Sequence, residues 1–200
     1  MDKIWEKFVR IAEDNDGVIR TSQVEAAGIS RPMLKKYMDL GKLERIRKGL
    51  YILSGEVADE YVLLQAQNTK AIFSYGTALF FWGLSDRTPH ILDVTLPQGL
   101  NATVLRKNNP NIRCHYIVND LYELGITELM SPQGGTVRLY DKERCICDLI
   151  KDRKKYEIQL YQTAIKEYMS SKEKNLSRLI EYAVKLGVRD EVMMYVEVMI

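Results

Sequence analysis

The chain has 200 residues but only two histidines and three cysteines, few of the side chains from which metal and nucleophilic sites are built. Cys114, Cys145 and Cys147 are odd in number and lack framework spacing, which excludes a disulfide scaffold. Cys145 and Cys147 stand two apart in an expected helix, so at ~100° per residue they point in nearly opposite directions, a poor geometry for sharing a zinc ion. His90 and His115 have no C-x-x-C or H-x-x-x-H neighbours. No metal, cofactor or catalytic residue is expected. Long apolar runs are missing too. Ala78 to Trp82 falls far short of the roughly 18 residues a membrane span needs, and short even of a signal-peptide core. The opening MDKIWEKFVR mixes both charges as a helix does, so no membrane partner and a cytoplasmic location are expected.

Enzyme motifs are equally scarce. Gln133-Gly134-Gly135-Thr136 lacks the lysine of a phosphate-binding loop and reads as a turn before a strand. There is no G-x-S-x-G. Gly76-Thr77 is not followed by the D-x-D that would hold Mg²⁺ in a nucleotidyltransferase, and Asp86-Arg87-Thr88 does not replace it. The chain is expected not to be an enzyme.

What the sequence does hold is a local excess of positive charge. Residues 1–55 carry eleven Lys and Arg against eight Asp and Glu, a net +3, whereas residues 56–200 carry 18 against 19. Within 31–48, Arg31, Lys35, Lys36, Lys42, Arg45, Arg47 and Lys48 face only Asp39 and Glu44, a net +5. A basic patch on a near-neutral chain is the footprint of a site for a phosphate backbone.

The periodicity around that patch predicts a winged helix-turn-helix. A first helix spans about Lys3 to Asp14, with Ile4, Trp5, Phe8, Val9, Ile11 and Ala12 on one face, and Val18-Ile19 can form a short strand. Ser22 with Glu25 fits an S-x-x-E capping box, so helix two is expected to start at Ser22 or its neighbour Thr21. Gly28 supplies the turn, Ser30 caps helix three, and Pro32 is tolerated in its first turn. On a wheel with Arg31 at zero, Lys35, Asp39 and Lys36 fall within about 140°, and Leu40, Met33, Tyr37, Leu34 and Met38 span the opposite side. Leu43–Ile46 and Leu50–Leu53 flank Arg47-Lys48-Gly49 as a hairpin with a basic tip. Such modules read duplex DNA. Arg31, Lys35 and Lys36, with Ser30, are expected to meet the major groove. Thr21, Ser22 and Gln23 are expected near the backbone, and Arg45, Arg47 and Lys48 on the wing. A second basic cluster, Lys151 with Arg153 to Lys155, suits the negative end of a helix or could touch flanking DNA or a protein. A winged helix that binds protein without specific DNA recognition is the alternative reading.

The sequence divides at about residue 55 into a winged-helix DNA-binding domain, 1–55, and an α+β domain, 56–200, with a helical C-terminal tail. The second is expected to open with a helix at 57–69 and an apolar helix starting at Ser74 or Tyr75. Strands follow at Ile91–Leu96, Asn111–Val118 and Thr136–Tyr140. A helix from Asp141 to Asp152 precedes helices near 155–169, 175–186 and 188–199, and Asp148 and Asp152 could form surface pairs with Arg144 or Lys151. Ser74-Tyr75-Gly76-Thr77-Ala78-Leu79 with Gly83-Leu84, then Val94-Thr95-Leu96-Pro97, then Tyr140-Asp141-Lys142-Glu143-Arg144 with Asp148-Leu149 occur in an order that resembles the AbiEi antitoxin family. Cys145 stands where that family often has threonine. The resemblance implies the antitoxin half of a type IV toxin–antitoxin pair linked to abortive phage infection. Its counterpart would be a nucleotidyltransferase-like toxin, countered without a stable complex. It also implies a repressor that binds inverted repeats in the promoter of its own operon.

Overall fold

The computed structural model describes residues 2–199, with side chains through residue 197. The fold is mixed α+β, in two compact units: residues 1–69 with 130–137, and residues 70–129 with 138–200.

The first unit begins with α1 (Lys3–Glu13), β1 (Ile19–Arg20), α2 (Thr21–Ala26), α3 (Arg31–Asp39), β2 (Leu43–Arg47) and β3 (Leu50–Leu53). The three strands form an antiparallel sheet in the order β1-β3-β2, and this is the element order of a winged helix. Its core is Phe8, Ala12, Ile19, Val24, Ile29, Leu34, Tyr37, Leu43 and Tyr51, with Trp5, Met33 and Met38 packed around it. Phe8, Ala12, Val24, Leu34 and Tyr37 are apolar positions of the three helical periods, so the 3.6-residue pattern explains their burial, while Ile19, Leu43 and Tyr51 come from the strands and Ile29 from the turn before α3. Leu40 departs from the expected core side and is 59% exposed, because α3 has already ended and the chain turns into β2. Asp2 caps α1, accepting N–H bonds from Ile4 and Trp5, and also accepts the Tyr37 hydroxyl.

The capping box at α2 sits in a different register from the one expected. The helix starts at Thr21, and the reciprocal bond is the Arg20 N–H donating to Gln23 Oε1 at 2.9 Å, not a Ser22–Glu25 pair. Starting the helix directly on β1 moves its N-cap to Arg20, so Gln23 rather than Glu25 lies one turn ahead. The unit closes with α4 (Glu60–Gln67), shorter than the helix expected at 57–69. Asp59 caps it through Tyr61 and Val62, and accepts the Gly135 N–H and the Ser131 hydroxyl, fastening the 130–137 segment to its start.

The second unit is built on a five-stranded sheet in the order β6-β5-β4-β8-β7, from β4 (Ile72–Phe73), β5 (Leu92–Pro97), β6 (Ile112–Ile117), β7 (Ile126–Met130) and β8 (Thr136–Tyr140). β4 pairs antiparallel with β5 and parallel with β8, and β5 runs parallel to β6. Three of these strands were expected; β4 and β7 were not. β4 is two residues long, below any readable alternation, and β7 is an edge strand carrying Thr127 and Glu128. The apolar helix is α5 (Tyr75–Phe81), followed by two short helices, α6 (Thr103–Asn108) and α7 (Asn119–Tyr122).

α8 (Lys142–Lys151), capped by the Asp141 side chain at the Arg144 N–H, packs against α5 and against α9 (Ile158–Ser170), α10 (Leu176–Leu186) and α11 (Arg189–Met199). Every residue from Glu143 to Ile150 is therefore buried. This corrects the expectation of surface pairs on this helix. Arg144 and Asp148 form a fully interior ion pair at 2.9 Å, and the Arg144 guanidinium also donates to the carbonyls of Leu121 and Leu124 and lies over the Tyr140 ring. Asp152 instead pairs with Lys155 and accepts the Tyr75 hydroxyl. Among the described residues no three His, Cys, Asp or Glu gather as a metal site, and no helix is long and apolar enough to cross a membrane.

Candidate nucleic-acid interface

The turn between α2 and α3 and the turn of the wing are each made by a glycine with positive φ, Gly28 at 76° and Gly49 at 79°. Few L-residues tolerate that region, so the sharp entry into α3 and the two-residue tip Lys48-Gly49 depend on them. From these turns the candidate residues are placed in sequence.

α3 presents Ser30, Arg31, Lys35 and Lys36 to solvent, while Leu34 and Tyr37 on the same helix are buried. Ser30 occupies the N-cap position, but its hydroxyl makes no capping bond. Arg31 is held: its Nε donates to Glu25 Oε1 at 2.7 Å across the helix-turn-helix corner. That hydrogen bond with the Glu25 carboxylate also raises the Arg31 pKa above the ordinary arginine value. With Nε engaged, the two terminal nitrogens are the groups left to form a fork toward an outside acceptor.

At the start of α2, Ser22 is exposed, and its neighbours are used by the fold. The Thr21 N–H donates to the Gly49 carbonyl at 3.0 Å, and its hydroxyl reaches the same oxygen at 3.4 Å. Thr21 thus ties the first turn of α2 to the wing tip. Gln23 is half-buried, accepting from the Arg20 N–H and donating to the Asn15 side chain. On the wing, Arg45 and Lys48 are exposed and Arg47 is half-buried. Arg45 Nε donates to the Arg47 carbonyl at 3.4 Å, across the bulge between positions 45 and 47.

The contacts link these groups into one path: the wing tip to Thr21, α2 to Glu25, and Glu25 to Arg31 at the head of α3. One cation of the +5 window is diverted. Lys42 lies over the Trp5 ring at 5.0 Å and near Tyr37, covering the aromatic cluster of α1 and α3. The residue sequence reasoning missed is Glu25, because a partner six positions away across a glycine turn lies outside the i,i+3 and i,i+4 neighbourhoods of one helix. Chemically, the surface offers flexible cations for phosphate, one oriented guanidinium, and small hydroxyls beside them, a combination suited to duplex DNA.

Comparison with known proteins gives a family match over this segment. Residues 6–54 match the model of a family described as "Transcriptional regulator, AbiEi antitoxin". The chain is similar in fold to the RV2827C protein from Mycobacterium tuberculosis, a crystal structure, with TM-score 0.56 at 15% identity, covering 92% of this chain and 72% of that one. No curated protein matches the chain.

Proposed function

We propose, from the match of the winged-helix segment to an antitoxin family of transcriptional regulators, that this protein binds double-stranded DNA and represses its own operon. In this reading it is also the antitoxin of a type IV, abortive-infection pair. The observation that supports it most directly is the exposed basic path over α3 and the wing inside the matched segment. Arg31 reads a guanine edge through its terminal nitrogens, with Ser30 beside it. Lys35, Lys36, Arg45 and Lys48 set affinity on phosphates, with Ser22 near the backbone. Arg47, half-buried, shapes the wing, and Thr21 and Gln23 hold α2 and the wing in place. Residues 1–55 carry DNA recognition and residues 56–200 the antitoxin activity. The protein acts in the cytoplasm, without a catalytic step and without a stable complex with its nucleotidyltransferase-like toxin. Helix-turn-helix proteins commonly occupy paired half-sites, so two copies bind the promoter's inverted repeats.

The test is a salt-series binding titration against the DNA upstream of this protein's own gene, with scrambled duplex alongside. Sequence-preferring binding with a steep negative log–log salt slope supports repression. Equal binding to scrambled duplex refutes it and leaves the winged helix as a protein-binding or non-specific module. A separation-of-function variant tests the rest. Because α4 and residues 130–137 pack with the winged helix, point changes are cleaner than truncation. Arg31→Ala with Lys48→Ala should derepress the operon while still protecting cells from the toxin, and loss of protection by that folded variant would put antitoxin activity in the first domain.

A further inference from the structure

The second unit contains a cleft of about 560 Å³ that the DNA-binding reading does not use. Its volume is in the usual small-molecule range, roughly 300–1,000 Å³. At its base lies Asp93 on β5, only 4% exposed. The parallel register of β5 and β6 sets Asp93 beside Arg113, and Thr95 beside His115. Asp93 Oδ1 accepts from His115 Nε2 at 2.8 Å and lies 3.6 Å from Arg113 Nη1. The Asp93 N–H is anchored on Thr77 Oγ1 at 2.8 Å. Its second oxygen, Oδ2, has no hydrogen-bond partner among the described residues. Since no fully buried side-chain oxygen is left unpaired there, Oδ2 opens to the cleft.

Two features make this an arranged acceptor. His115 is clamped, with the Tyr75 ring stacked on it at 4.1 Å and the Tyr156 hydroxyl 3.4 Å from Nε2. Tyr75 itself sits at φ 44°, a left-handed conformation costly for an aromatic residue, and its hydroxyl donates to Asp152 at 2.9 Å. In front of Oδ2 the wall is Gly76: a Cβ there would sit 3.2 Å from Oδ2 and 3.7 Å from Leu160 Cδ2. The absent side chain is what opens the approach to the carboxylate.

The rim has the opposite charge. Arg87, Arg113 and Lys155 line the same cleft. Arg87 and Lys155 rest on Glu157 and Asp152 in pairs with largely exposed cations, which exchange readily for a stronger anion. Arg113 lies over the Tyr156 ring and is 43% exposed. A simple anion is repelled by Asp93, and a simple cation by the rim. A ligand that donates a hydrogen bond at one end and carries a phosphate at the other satisfies both.

We propose that this cleft binds a small hydroxyl-bearing phosphate ester, a sugar phosphate or ribonucleotide, with a hydroxyl on Asp93 Oδ2 and the phosphate on Arg87, Arg113 and Lys155. Isothermal titration of the full chain with AMP, ribose 5-phosphate and inorganic phosphate tests it, with Gly76→Ala and Arg113→Ala as variants. Gly76 is helical and alanine favours helix, so Gly76→Ala should keep its thermal midpoint while losing about tenfold or more in affinity. AMP tighter than ribose 5-phosphate assigns a ribonucleotide, and equal affinity a sugar phosphate; either supports the site when both variants weaken it. Inorganic phosphate binding as well as both esters, binding that both variants leave unchanged, or no binding of any of the three, overturns it.

Discussion

At the scale of single residues, Arg144 and Arg31, each in an ion pair, play opposite parts. Arg144 is fully buried with Asp148, and burial pushes the Asp148 carboxyl up to about 6 against the pull of the guanidinium. Asp148→Ala leaves that guanidinium uncompensated and should cost about 3–5 kcal/mol by urea denaturation. Arg31 with Glu25 is exposed, so the pair adds little stability and its effect falls on orientation. Glu25→Gln removes a negative charge from the DNA-facing corner and unclamps Nε. Affinity for any duplex should rise while the ratio of cognate to random binding falls. A ratio that stays constant in gel-shift titrations would remove Glu25 from recognition. Sequence reading placed Arg31 on the exposed face correctly. It placed Arg144 wrongly, because a wheel shows which residues share a face and not how many neighbours cover it.

At the scale of elements, α3 is fastened to the start of α1 by side chains whose titration is linked to folding. Asp2 has its pKa lowered, chiefly by the Tyr37 hydroxyl and with help from the α1 N–H groups. A depressed native pKa contributes stability above the ordinary carboxylate value of 3.8, lost as pH falls through the native one. Tyr37 is pushed up to about 12, chiefly by the same bond, so its contribution is whole below its ordinary 10.0 and disappears as pH rises through about 12. Tyr37→Phe should therefore flatten both the acid and the alkaline limb of thermal midpoint against pH. Limbs unchanged in the variant would show that this tie is not formed in solution. The wing depends on Gly49 in the same local way. Gly49→Ala finds room, its Cβ 3.5 Å from Thr21 Oγ1, but must hold φ near 79°. A cost of about 1–2 kcal/mol, visible as faster amide exchange confined to β2 and β3, is expected.

At the scale of the whole molecule, a net charge of +2 exerts little long-range pull, so DNA affinity has to come from the patch. Four phosphate-directed cations, Lys35, Lys36, Arg45 and Lys48, predict a log–log salt slope of about −4 per copy, and Lys48→Ala should reduce it by about 1. A slope near zero would mean that the exposed cations of α3 and the wing do not meet phosphate. The two compact units also show how far charge and periodicity reach. A composition boundary near residue 55 marks the end of β3, whereas α4 and residues 130–137 pack with the first unit through Asp59, a contact spanning more than seventy positions of chain.

The sequence by itself determined the helices with strong 3.6-residue patterns, the glycine turns that aim α3 and the wing, strands long enough to alternate, and the exposed cations of the basic window, since each of these depends on neighbours within one or two turns. Tertiary structure alone decided what lies between distant segments. It paired β4 with β8, buried α8 under four helices, and turned Thr21 to the wing and Gln23 to Asn15 in the turn after α1. It also brought Asp93, Arg113 and Gly76 to one cleft. Those contacts join residues with no local pattern in common, and their free energy is gained only once the chain has closed the loops between them.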